Sequence, residues 1–279
     1  MKKIVFVFIM IGVFAGCNGN LYGELADKNS DDALIFDAKT AVNAQDYDGA
    51  INILTVQLSA NGQLKTEARE VLASAYAGKC GLNFVNYVDA LAAASSGSAF
   101  QLAAAPFVGL AVNSNYCLMS LQTLDLIGPN ASRTTDQNAF AAVVGMVLMG
   151  TSTRTATDDI PSLGDGTQDA PNISCDTVTV TDAEVDQIIL GYGYMSTNLA
   201  ALTAAQIGNS SSGTFTSSTA ICDAAIQAIN GPTATCKITD AAQITTQLRD
   251  TMRDLLNTVE YGVGTADGSN PLLIPVACP

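Results

Sequence analysis

The chain contains no histidine and no tryptophan, its aromatic residues amount to 6%, and 12 basic residues stand against 26 acidic ones. The missing histidine removes the commonest general base near neutral pH. A serine or cysteine nucleophile would need a lysine in its place, and Lys28, Lys39, Lys65, Lys79 and Lys237 lie in no recognisable Ser-Lys setting. The reading is therefore of a protein that is not an enzyme and needs no cofactor. Nucleic-acid binding requires clustered Lys and Arg to neutralise phosphates, and no such cluster exists, so polyanions are poor partners. Abundant alanine with few aromatics suits closely packed helices, and an apolar fraction of 48% excludes general disorder.

What is present begins with MKK followed by IVFVFIMIGVFAG, a short positive region and an apolar run of about a dozen residues. A membrane-spanning helix needs about 20 apolar residues, and this run breaks at Cys17-Asn18-Gly19-Asn20. Residues 1–16 are read as a signal peptide and 17–30 as a tether. Val13-Phe14-Ala15-Gly16-Cys17 resembles the bacterial lipobox, with Phe14 where Leu is usual. The resemblance implies that Cys17 becomes the lipidated first residue of an envelope lipoprotein, carrying thioether lipid and an acyl chain such as palmitate. The alternative is an ordinary cleaved signal with Cys17 left to pair. By the enterobacterial sorting rule, Asn18 implies the outer membrane. Two or three acyl chains make a stable anchor, whereas one is reversible. Removing Lys2 and Lys3 with the signal leaves ten basic residues and a net charge near −16.

Six cysteines then remain: Cys80, Cys117, Cys175, Cys222, Cys236 and Cys278. An even number in an exported chain points to disulfides. The favoured pairing joins Cys222 to Cys236, Cys80 to Cys117 and Cys175 to Cys278. A zinc site is disfavoured, because there is no histidine and no pair of cysteines at two-residue spacing.

Apolar periodicity predicts an all-α fold. A first helix follows Ser30 with Leu34, Ile35, Ala38, Ala41 and Val42 inward. A second starts near Asp46 and stops at Asn61-Gly62, a third covers Leu64–Gly78, and a fourth runs from about Leu82 to Ala94. QDYDGAINIL, with Tyr47, Ala50 and Ile51, and LASAY, with Leu72, Ala73 and Tyr76, resemble the helix-packing positions of tetratricopeptide repeats. The pattern departs from that family where Leu34 replaces an aromatic and Gly62 replaces proline. The resemblance implies stacked helix pairs and a surface that binds protein or peptide. Two such pairs fall short of the roughly three an independent solenoid needs, so later helices must complete the core.

Residues 31–154 form the tetratricopeptide-like half. Within it, Ser114 is expected to cap a helix through Ile127, and Thr134 or Thr135 opens a helix whose face Phe140, Val143, Val144, Val147 and Leu148 makes it central. From Thr151 the composition turns polar, and residues 155–180 are read as a long loop. Residues 181–279 form the C-terminal helical half, packed on the first. There a capping box at Thr181 and Glu184 launches one helix, a short helix is expected near Ile221–Ile229, and Asp240 with Gln243 is expected to launch the last long one. The PLLIPVACP tail is expected to lie extended across the body.

Asp158, Asp159, Asp165 and Asp169 are dense enough to bind calcium, although Asp, Gly and Pro are also what a solvated loop contains. Glu24, Asp27, Asp31 and Asp32 either repel an anionic membrane or mark a solvated helix start. Tyr192, Tyr194 and Met195 sit beside Gly191 and Gly193, each glycine costing about 1 kcal/mol in a helix. That cost signals either a close helix crossing or room for a ligand. Phe84, Tyr87, Phe100, Phe107 and Tyr116 line a pocket or fill a core. Two functional readings result. One is a lipid-anchored scaffold for protein or peptide; the other is a binding module for a small or apolar solute, similar to helical lipoproteins associated with some TRAP transporters.

Overall fold

The structure, a computed structural model, describes residues 28–93, 98–159, 162–166, 180–202, 222, 235–256 and 262–263. Nine α-helices run through them, with no strand among the described residues: α1 (Asp31–Asn43), α2 (Tyr47–Asn52), α3 (Thr66–Cys80), α4 (Phe84–Ala93), α5 (Ala99–Ala104), α6 (Ser114–Asp125), α7 (Thr135–Thr157), α8 (Asp182–Asn198) and α9 (Thr246–Leu256). The chain is all-α, as its periodicity implies.

Local chemistry sets the helix ends. Ser30 caps α1 by accepting from Ala33 N, and Asp46 caps α2 by accepting from Gly49 N. One π-helical turn, Ile53–Gln57, extends α2, and Gln63 satisfies the carbonyls of Thr55 and Leu58 at its end. α3 continues two residues past its expected stop at Gly78. It ends at Gly81, whose φ of 115° is open to glycine at little cost. Full capping boxes start α5 (Ser98, Gln101), α7 (Thr134, Gln137) and α8 (Thr181, Glu184).

Three boundaries differ from expectation. Asn113, not Ser114, caps α6, because Ser114 is already helical and its hydroxyl donates to Gln187 at 2.6 Å. α7 runs on through Thr151–Thr157, since Thr151, Thr155 and Thr157 turn their hydroxyls back onto the carbonyls of Val147, Thr151 and Thr153 at 2.8 Å. A polar stretch thereby remains helical inside the protein. Asp240 launches only the short 3₁₀ turn Ala241–Gln243; α9 begins later, with Leu248 N donating to Thr245 Oγ1 at 3.3 Å.

α3 divides two apolar clusters by its two faces. Ala68, Val71 and Ala75 join Leu34, Ile35, Ala38, Ala50, Leu54 and Leu58 in a small cluster with α1 and α2. Ala73, Ala77 and Cys80, on the opposite face, enter the main core, where α7 packs against α5, α6 and α8. Although α7 is long and apolar enough to cross a membrane, most of it is buried in this core. Disulfides join Cys80 to Cys117, stapling α3 to α6, and Cys222 to Cys236, in the pairings the sequence favours.

Candidate functional site

The α7–α8 crossing holds the residues singled out as a possible ligand site. A methyl group on Gly145 would lie 2.7 Å from Met195 N and 2.8 Å from Gly191 O, and one on Gly191 would lie 2.5 Å from Met149 N. The two helices therefore meet backbone to backbone, which accounts for the glycines as a close crossing. Tyr192 is 1% exposed and stacks on Phe100 with ring centroids 5.7 Å apart. Met195 is buried too, and Gly193 lies against Ile238 so closely that any side chain there would collide with its carbonyl. Of the other aromatic candidates, Tyr87 stacks on Phe107 at 5.4 Å and Tyr76 on Tyr116 at 6.2 Å. Phe84 is exposed.

Tyr194 has a different role, because its hydroxyl donates to Asp125 Oδ2 at the end of α6. The other oxygen of that carboxylate accepts from Arg133 Nη1 at 3.2 Å. The Arg133 side chain is only 3% exposed, and its remaining donors reach Asn138 Oδ1 at 3.0 Å and Asn198 Oδ1 at 3.4 Å. Asn130 donates to the same Asn198 oxygen at 2.6 Å. The C-terminal ends of α6 and α8 and the lead-in to α7 are thus tied together by one polar junction. Burial pushes the Asp125 carboxyl above its ordinary value despite both partners, and burial followed by the Asp125 hydrogen bond pushes the Tyr194 phenol up.

A second ionic cluster joins α8 to α9. Arg253, 1% exposed, donates to Val180 O at 3.1 Å, Asp182 Oδ1 at 2.5 Å and Asp250 Oδ1 at 3.3 Å. One turn earlier, Arg249 grips Asp186 with two bonds of 2.7 and 2.9 Å. The hydrogen bond from Arg253 holds the Asp182 carboxyl below its usual range.

The acidic loop candidates divide. Asp158, buried after α7, spends its two oxygens on the N–H groups of Asp165 and Gly166, both at 2.9 Å. Arg154 ties the same loop, through Ser162 O, to Leu110 O in the connection between α5 and α6. Asp158 thus closes a turn, while Asp159 and Asp165 are exposed and Asp169 lies outside the described residues. Among the described residues, no group of three or more Cys, Asp or Glu is placed to hold a metal ion. Asp31 and Asp32 organise the first helix start: Asp31 accepts from the N–H and hydroxyl of Ser59, and Asp32 accepts from Lys65 at 2.6 Å.

Ion pairs join α1 to the start of α3 in the N-terminal helices. They are Asp32–Lys65 and Lys39–Glu67, and between Asp32 and Lys39 on α1 stands Phe36, 68% exposed. Lys79 is paired with Asp48 and lies 4.6 Å over the Tyr116 ring.

Cys17, Cys175, Cys278, Glu24, Asp27 and the expected 221–229 helix, apart from Cys222, lie outside the described residues. Sequence reasoning passed over the buried arginines Arg133, Arg154 and Arg253. The available signal was the scarcity of cations in so acidic a chain. Compared with known protein families, curated proteins and solved structures, the chain matches none.

Proposed function

We propose that this protein is held at a bacterial outer membrane by lipid on Cys17 and that its helical body is a non-catalytic scaffold for another protein or peptide. The observation that carries the reading is the run from Met1 through the apolar stretch to Ala15-Gly16-Cys17. The two disulfides support it, since such bonds persist in oxidising compartments outside the cytosol. The succession α1, α2, α3 supports the scaffold half of the reading. A helix, its antiparallel partner and the next helix share one small core, the arrangement that tetratricopeptide-like pairs use to build extended binding surfaces.

Growth with an alkyne fatty acid tests the anchor. Incorporation is expected in the full chain and should be lost in Cys17→Ala, with release from the membrane fraction. Equal labelling of that variant refutes lipidation at Cys17. Crosslinking in whole cells followed by mass spectrometry tests the scaffold. Lysines near the α1–α3 face are expected to give links to one recurring protein, and their absence under conditions that label those lysines counts against a protein partner.

A further inference from the structure

Six Asn-Gly or Asp-Gly bonds occur in the chain, and Asp48-Gly49, Asn61-Gly62 and Asp165-Gly166 lie among the described residues. Such bonds are the first a polypeptide loses to ageing, because no Cβ on the following residue hinders the reaction. The glycine nitrogen adds to the side-chain carbonyl carbon of the Asn or Asp, gives up its proton, and expels ammonia from Asn or water from Asp. The succinimide ring so formed takes up water at either carbonyl. One opening leaves aspartate; the other leaves isoaspartate, with the main chain rerouted through Cβ. Asp48, Asn61 and Asp165 are all exposed to water.

In each case the attacking nitrogen is already engaged. Gly49 N donates to Asp46 Oδ1 at 3.0 Å, Gly62 N to Ser59 Oγ at 3.0 Å and Gly166 N to Asp158 Oδ2 at 2.9 Å. Asp48 lies within α2, and Asn61 has helical angles (φ −73°, ψ −36°), which hold the next nitrogen out of line for ring closure. The same contacts account for the glycines. A Cβ at position 49 would lie 2.2 Å from Asp46 Oδ2, and one at position 62 would lie 2.6 Å from Asp31 Cγ. Gly166 has a φ of 86°, which glycine adopts at little cost. Each turn therefore requires glycine after an Asn or Asp, and so creates a reactive bond whose nitrogen it also holds.

We propose that Asp46, Ser59 and Asp158 protect these bonds: by holding the glycine N–H they suppress isoaspartate formation at Asp48, Asn61 and Asp165, which then proceeds only through local opening of each turn. Asp31 acts through Ser59. Its Oδ2 accepts the Ser59 hydroxyl proton at 2.7 Å, leaving the hydroxyl oxygen to accept from Gly62 N. The protection does not depend on the scaffold reading.

Peptide mapping of the full chain, with electron-transfer fragmentation to tell isoaspartate from aspartate, tests this after incubation at about pH 8 and about 37 °C. Isoaspartate at positions 48, 61 and 165 is expected to accumulate about ten-fold more slowly in the folded protein than in the same chain unfolded in guanidinium chloride. Ser59→Ala should raise the rate at position 61 several-fold and leave those at 48 and 165 unchanged, while Ser59→Thr, which keeps the hydroxyl, should retain the wild-type rate. Asp46→Ala should act at position 48 alone. Equal rates in the folded and unfolded chains overturn the proposal, as does a Ser59→Ala variant that ages like the wild type at position 61. A rise of equal size at all three positions in Ser59→Ala overturns it too, because general loosening rather than loss of one acceptor would then control the reaction.

Discussion

The N-terminal helices and the α7–α8 body solve the same packing problem in opposite ways. In the first, α1, α2 and one face of α3 bury nine described side chains, all of them aliphatic, and leave their outer surfaces to ion pairs in water. In the second, α7 is enclosed on nearly every side, crosses α8 at glycines, turns the Thr151, Thr155 and Thr157 hydroxyls back onto its own carbonyls, and receives the buried Arg133 at Asn138. A core of nine residues is too small to stand alone. The N-terminal helices therefore draw their stability from α3, which is shared with the main core. The disulfide at Cys80–Cys117 fixes that shared helix to α6, so it couples the two regions.

Breaking that coupling should have the largest effect. The bond closes a separation of 37 residues, for which the chain-entropy relation gives about 4 kcal/mol. Cys80→Ala with Cys117→Ala is expected to lower the urea midpoint accordingly and to let the N-terminal helices melt in a separate, earlier transition. A single unchanged transition would mean that the two regions are coupled mainly by α3 packing.

Glycine substitutions sharpen the contrast next. Gly191→Ala places its methyl 2.5 Å from the Met149 backbone nitrogen, and backbone cannot rotate aside. A loss of about 3 kcal/mol is expected, by urea denaturation, against the roughly 1 kcal/mol that alanine would gain in an open helix. Smaller and of different origin is the loss from Arg253→Met, about 2 kcal/mol, since the buried Val180 O loses its donor. In the N-terminal region Lys65→Met removes a solvent-exposed partner of Asp32 and should leave the urea midpoint nearly unchanged. Comparable losses for the two cation variants would contradict the division between buried and surface pairing.

The two regions were also unequally legible in the sequence. α1 and α2 with its π turn bury one face each and α3 buries two, so Leu34, Ile35 and Ala38, then Ala50 and Leu54, then Ala68 and Ala75 announce themselves by helical spacing. The capping box at Thr181 was equally readable, because two short-range hydrogen bonds define it, whereas at Thr134 and Thr135 only the start of a helix was legible and its box with Gln137 was not. In α7 the same logic failed beyond Gly150. Threonine and serine signal a loop when water is their partner, but here the helix's own carbonyls are, and nothing local records that the segment will be buried. Tyr192, Tyr194 and Met195 could be assigned to a helix but not to a crossing, because Gly191 reads alike whether it faces a ligand or the backbone of Met149. The junction at Asp125 was invisible for a further reason: its members lie up to 73 positions apart, from Asp125 to Asn198, and only tertiary packing brings them together.

Acid titration separates the regions by the smallest effect and by its sign. Asp31, in the N-terminal region, is held below the ordinary carboxylate range by the side-chain and then the backbone hydrogen bond of Ser59, and Asp182, in the body, by the hydrogen bond from Arg253. A carboxyl lowered in the folded state contributes stability that is complete above its unfolded value, near about pH 4, and is lost as pH falls through the folded value. Asp125, displaced upward by burial, has the opposite sign: as pH falls through its folded value toward its unfolded one, the folded state gains. Thermal midpoints of Asp31→Asn and Asp182→Asn should therefore lie below the wild type at neutral pH and converge with it below about pH 3. Asp125→Asn should differ from the wild type most at neutral pH and approach it already in mild acid, above about pH 4. If all three variants converged over the same pH interval, the polar junction would be electrostatically no different from the surface pairs of the N-terminal helices.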